Sequence, residues 1–337
     1  MPAFIRLVLL VSLFSVPALA AEEEPLDEIV VTGEFKGPGL WRVTRPGDST
    51  NHVLWIVGEP LGLPKGMRWR SGDIEAIASS AQEILNEPGV NMVSDEKIGV
   101  LRGLTLVPSL LKARKNPDDK ELDEILPAEL YARWLAQRKL FLNNTKRLED
   151  WRPFFVAERL RTKAMEKLGL REGGVVWDAI GKIVAEKKVP VTTPMLKFTF
   201  KRAELRGKIK EFLREPLVDV ECFRTTLDLT ERHSDGEWVK ARANAWARGD
   251  LETMRSLPPR PDPNLPCAMA VLDAQVAREL IPSDLREQTE KLWLDAALAA
   301  LGKNESTFAV LSFENLLRPD GYLSRLRGAG LEIEPPN

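Results

Sequence analysis

An α/β fold is predicted by the way two patterns divide the chain: a mixed sheet built from N- and C-terminal strands, flanked by helices and carrying a large helical insertion. Strand-like runs, apolar and rich in β-branched residues, lie near the ends, at Leu40–Thr44, His52–Gly58 and Thr307–Leu311. Apolar residues at three-and-four spacing fill the middle. The two ends must therefore meet in one sheet, with the helical middle outside it.

The first twenty residues belong to sorting. One positive charge at Arg6, an apolar run from Leu7 to Val16 and the small-x-small ending Ala18-Leu19-Ala20 make residues 1–20 a signal peptide. The run is shorter than the roughly twenty residues that a bilayer span needs. An exported protein, periplasmic or secreted and with no stable membrane span after cleavage, is the expectation. Residues 21–37 read as a flexible N-terminal segment, too poor in apolar residues to order itself. Within it Leu26–Gly33 resembles the N-terminal coupling box of outer-membrane TonB-dependent receptors, but no series of ten-residue alternating segments follows to build a barrel.

Residues 38–337 then form a single domain. Leu40–Thr44 and His52–Gly58 make a hairpin around Pro46-Gly47-Asp48. Ser71 caps a helix whose inward face is Ile74, Ile77, Ala78, Ala81, Ile84 and Leu85, ending before Pro88-Gly89. Charges from Lys112 to Glu124 read as a solvated turn and helix face. The helical insertion spans about 119–170, with Leu130, Trp134, Leu140, Trp151, Phe155 and Leu160 as its core; such aromatics serve any helical layer through the area they bury. A helix at Val175–Glu186, a strand at Val189–Thr193 and a helix at Lys201–Leu213 follow. Further helices run to residue 302, interrupted by a proline-rich loop at Pro258–Pro266. A strand at Thr307–Leu311, a helix near Asp320–Gly328 and a closing strand at Leu331–Glu334 complete the chain.

Of 337 residues, 48 are basic and 50 acidic, a net charge of −2. A chain so balanced has no domain-wide field for a polyanion, so nucleic acid is not an expected partner. The two histidines, His52 and His233, cannot build a site that needs three imidazoles, and both read as exposed. Cys222 and Cys267 are the only cysteines, and in an oxidising compartment a disulfide is the leading interpretation. The alternative of a catalytic thiolate would need His233 beside Cys222.

The residues Val53–Leu61, then Leu63-Pro64 and Trp69-Arg70-Ser71, resemble the opening of the TraB/GumN family, which includes the TIKI metalloproteases. Ala245–Leu251 is similar to that family's Trp-x-x-Gly-Asp step. Thr307–Leu311, Leu316-Leu317, Asp320–Leu323 and Leu326–Leu331 resemble its C-terminal strand, site loop and helix. The resemblance covers about residues 38–335.

It implies a hydrolase holding a divalent metal through two Gly-x-x-His motifs, plus a glutamate after the first helix. Here the motifs are degenerate. The first reads Gly58-Glu59-Pro60-Leu61 and the second Ser312-Phe313-Glu314-Asn315, while Glu87 matches the acidic position. Leucine has no lone pair for a metal, and an amide carbonyl is a poor zinc ligand. No cofactor and no bound metal are expected. Glu59, Glu87 and Glu314 are the candidate catalytic residues: either they form an acidic cluster able to hold a hard cation or supply a general acid, or, the favoured reading, they are three solvated surface glutamates. Glu87 lies either at a strand end or in a turn before Pro88. The expected function is binding or scaffolding of a protein or small ligand whose identity is unknown. Hydrolysis of a peptide or ester bond at a remodelled acidic site is the alternative.

Overall fold

In the computed structural model, which describes residues 37–94, 114–201, 207, 211, 219–257, 267, 270 and 282–336, the central strands come from opposite ends of the sequence. The signal peptide, most of the 21–37 segment, most of the 201–213 helix and the 258–266 loop lie outside the described residues. β1 (Leu40–Thr44) and β2 (Val53–Glu59) form the antiparallel hairpin. In its turn Gly47 adopts a positive φ of 69°, and the Asp48 carboxylate accepts a 2.8 Å hydrogen bond from the Thr50 amide. β9 (Ser306–Ser312) runs parallel to β2 over its full length, from Val53 opposite Ser306 to Glu59 opposite Ser312. Thr307 to Leu311 are all buried, as a parallel strand covered on both faces requires.

On the other side of β9 lies β4 (Glu83–Asn86), followed by β7 (Val191–Thr192), while β10 (Glu332–Glu334) flanks β1. The order is β10-β1-β2-β9-β4-β7. α1 (Gly72–Ser80) and α5 (Val175–Lys187) pack together, and α1 also lies against β9. α9 (Leu285–Lys303) packs against β2, β4 and β9. Ile56, Ile84, Trp293 and Phe308 are fully buried in the resulting core.

The expected first helix is corrected here: it stops at Ser80, Ala81 turns extended (φ −65°, ψ 140°), and Ile84 and Leu85 belong to β4. Their spacing continues the helical stripe, but burial between β9 and β7 outweighs the helix propensity of Ala, Gln and Glu around them. The predicted strand at Val189–Thr193 shortens to β7. The run after Pro194 is a strand, β8 (Met195–Phe200), paired in parallel with β5 (Gly89–Ser94).

The middle of the chain has its own core. α2 (Leu122–Ile125), α3 (Ala128–Phe141), α4 (Pro153–Lys167) and α6 (Val220–His233) enclose Leu130, Trp134, Leu160, Phe223 and Leu227. Trp134 meets Phe223 edge-on at 5.8 Å. β3 (Leu63–Pro64) pairs with β6 (Leu170–Arg171), tying the end of this helical layer to the loop after β2. α7 (Gly236–Ala247), α8 (Leu251–Ser256), α10 (Phe313–Leu317) and α11 (Tyr322–Gly328) are further helices among the described residues. Among the described residues no helix is long and apolar enough to cross a membrane.

Both histidine expectations need correction. His233 is 2 % exposed and packs on the Trp238 ring at 5.8 Å, because the last turn of α6 faces the loop carrying Gly62. His52 is half-buried just before β2, its Nδ1 3.0 Å from the Leu301 carbonyl.

Cys222 on α6 is bonded to Cys267, with Cα atoms 4.5 Å apart and 45 positions between them. Closing a loop of that length restricts the unfolded chain by about 4 kcal/mol. The protein purified from an oxidising compartment is expected to show no free thiol under denaturing, non-reducing conditions, and Cys222→Ala/Cys267→Ala should unfold in urea with about 4 kcal/mol less stability. Two titratable thiols per chain would contradict the pairing.

Candidate functional site

β2, β9, β4 and β7 run parallel, so their carboxyl ends share one edge of the sheet, the usual place for a ligand in an open α/β sheet. Glu59 ends β2 directly opposite Ser312, which ends β9. Glu87 follows β4 at once and Thr193 follows β7. These four residues, with Leu61 and Trp177, line a cavity of about 330 Å³.

Glu59 is only 6 % exposed. Its Oε1 accepts a 2.6 Å hydrogen bond from the Val175 amide, and its Oε2 a longer one, 3.4 Å, from Val176. These amides open α5, whose N-cap Gly174, at φ +86°, has no side chain to offer. The carboxylate supplies that cap from across the sheet edge and sits where the helix dipole favours negative charge. Burial nevertheless raises its pKa above the ordinary glutamate value, and the two amides and Arg171 only partly offset this.

Glu87 has different partners. Its Oε1 accepts a 2.7 Å bond from the Asn315 side-chain amide and its Oε2 a 3.3 Å bond from the Ser312 backbone. Burial raises its pKa, and the nearby charge of Glu314 adds to the effect. Asn315 is held at both ends: its Oδ1 accepts from Arg318 at 3.2 Å. Arg318 is in turn ion-paired with the buried Glu290, which Arg325 also approaches at 2.6 Å. The hydroxyl of Tyr322, buried near Glu87 and Glu290, is pushed well above the usual tyrosine range.

Glu314 turns away from the cavity to an ion pair with Arg242, which is 5 % exposed and lies over the Trp238 ring at 5.6 Å. One turn further along α7, Trp246 donates a 2.7 Å hydrogen bond to the Gly58 carbonyl. α7 thus grips both loops of the site. Gly321 is required by close approach, since a Cβ there would stand 2.1 Å from the Asn315 carbonyl oxygen; at Gly58 a Cβ would be tight, 3.0 Å from the Phe313 ring.

The favoured reading of three solvated glutamates is therefore corrected. Glu59 is buried, Glu87 and Glu314 are half-buried, and each has protein partners, because the strand ends and the start of α5 abut one another. Glu59 and Glu87 line one cavity while Glu314 does not, and among the described residues no three His, Cys, Asp or Glu side chains are arranged to hold a metal. The metal that the resemblance implies does not fit the donors present: Leu61 has none, and both ends of the Asn315 amide are engaged. Sequence reasoning missed Arg242, Arg318 and the α5 amides. The four-residue spacing of Trp238, Arg242 and Trp246, which puts them on one helix face, is the signal that could have exposed the first.

The profile of the TraB/PrgY/gumN family matches residues 39–335. No curated protein and no solved structure matches the chain at a significant level.

The raised pKa of Glu59 has a consequence for stability. The folded chain holds that proton more tightly than the unfolded chain, so the contribution of this group is complete below the ordinary value of 4.5 and is lost as pH rises through the folded value. In urea titrations from about pH 4 to pH 8, Glu59→Gln is expected to show a flatter downward slope of stability with pH than the wild type. Parallel slopes would contradict the burial of an ionisable Glu59.

Proposed function

The chain belongs to the TraB/PrgY/gumN family, and we propose that it is an exported binding or scaffolding protein that lacks the metal-dependent hydrolysis implied by the resemblance. The observation that carries this reading is the Asn315 amide, held between Glu87 and Arg318. At a position where a metal centre would need a free lone pair, this side chain donates with its nitrogen and accepts with its oxygen. Glu59 and Glu314 are committed in the same way, to helix amides and to a guanidinium. What is left is a cavity of about 330 Å³ with an aromatic side chain and a few polar groups, of the size that takes a small ligand.

Export is supported by the leader pattern in residues 1–20 and by the disulfide, since paired cysteines persist in oxidising compartments. On this reading residues 38–337 act as one domain after the leader is removed, with a helical insertion at about 119–170.

One observation favours the enzyme alternative: Glu59 and Glu87 line the same cavity, and burial shifts both carboxyl groups upward, the direction a general acid needs.

Elemental analysis of the dialysed protein, paired with peptide and ester hydrolysis assays, separates the readings. The binding-protein reading predicts no stoichiometric transition metal and no hydrolysis. One zinc per chain with chelator-sensitive turnover would overturn it. So would chelator-resistant turnover lost in Glu87→Gln, which would establish the acid-dependent enzyme instead.

A further inference from the structure

A second, larger cavity of about 750 Å³ lies in the helical layer, between the end of α3, the loop that follows it and α4. It shares no lining residue with the cavity at the sheet edge. Its apolar wall is made by Phe141, Leu148, Trp151 and Phe155. The loop that shapes it is held from beneath. Glu149 pairs with Arg138 in a buried ion pair and accepts a 3.1 Å bond from the Trp134 indole. Arg138 also donates to Asn144, one of two asparagines whose positive φ turns the chain at the end of α3. The cavity is therefore built into the fold and needs no ligand to form it.

Its charge is one-sided. Four cations line it, Arg114, Arg147, Arg159 and Lys163, against one carboxylate, Glu158. Glu158 is already paired with Arg161 at 2.8 Å, and Lys163 with Glu166. Arg114 lies over the Trp151 ring at 5.2 Å, a contact that leaves its charge uncompensated. Among the described residues Arg114, Arg147 and Arg159 make no direct ion pair, Arg159 acting on Glu166 only at longer range, whereas Arg133, Arg138, Arg161 and Arg171 in the same part of the chain are all paired. Scattered surface arginines serve solubility, but these three converge on one concave, aromatic-walled space. There a guanidinium can grip a carboxylate, phosphate or sulfonate with two parallel hydrogen bonds while the rest of the ligand covers the rings.

We propose that this cavity binds a small organic anion with an aromatic or short aliphatic body, its charged group held by Arg147 and Arg159 and its body resting on Trp151 and Phe155. This site is independent of the function assigned to the sheet edge.

A pair of probes that differ only in the charged group tests it: 8-anilinonaphthalene-1-sulfonate and the uncharged N-phenyl-1-naphthylamine, titrated calorimetrically into the full chain. The sulfonate is expected to bind at one per chain, more weakly as salt is raised, and at least tenfold more weakly to Arg147→Gln/Arg159→Gln. The uncharged probe should bind the wild type and this variant alike. Both arginines are exposed, so the variant should keep the wild-type melting temperature. Arg147→Lys/Arg159→Lys, which keeps the charge, should recover part of the affinity. Equal sulfonate affinity in wild type and glutamine variant overturns the proposal, as does uncharged-probe binding as tight as that of the sulfonate. Loss of sulfonate binding in Leu61→Arg, with the arginine pair intact, would move the site to the sheet edge and overturn it equally.

Discussion

The parallel pairing of β2 with β9 is the constraint on which the rest of the molecule depends. Seven residues of each strand lie in register, and they come from opposite ends of the domain. Neither strand has a near neighbour in sequence that could replace the other on this side: β1 already occupies the far edge of β2, and β4 that of β9. The closure entropy for so long a connection must be offset by burial, which is why Val53–Val57 of β2 and Phe308–Leu311 of β9 are apolar and the two strands are covered on both faces. The same register sets Glu59 against Ser312, so both degenerate motifs are delivered to one edge as a by-product of the core.

At that edge hydrogen bonds and ion pairs join the loops. Glu59 joins the end of β2 to the start of α5, Glu87 joins the end of β4 to α10 through Asn315 and Ser312, and Glu314 joins α10 to α7 through Arg242. Every one of these carboxylates loses water on burial, and each recovers part of that cost from donors fixed by a helix or a strand end. Removing one partner of such a pair costs more than the pair itself contributes, since a buried charge is left uncompensated. Groups bound in this way are unsuited to gather around an ion.

Much of the fold could be read from residue pattern, because β2 and β9 carry unbroken apolar runs and the longer helices place Leu, Trp and Phe at three-and-four spacing. β4 could not: Ile84 and Leu85 extend a genuine helical stripe, and only the open place beside β9 makes them a strand. β8 was hidden for a similar reason, since Met195–Phe200 alternates as a strand does but pairs with a segment more than a hundred residues away. The cysteine pair was legible because Cys222 and Cys267 are the only two cysteines and the leader-like pattern of residues 1–20 makes pairing the expectation. The partners of the glutamates were not, because the α5 amides lie 116 positions from Glu59 and the Asn315 amide 228 from Glu87. Local sequence carries no trace of a carboxylate that caps a helix across a sheet.

Asn315 serves as a hydrogen-bonding link where the family resemblance implies a metal ligand. Anomalous diffraction from crystals soaked in zinc or manganese addresses it directly. No anomalous peak is expected in the cavity at the strand ends, with the Asn315 amide still bridging Glu87 and Arg318. A peak within bonding distance of Glu87, with Asn315 rotated away from it, would contradict that role.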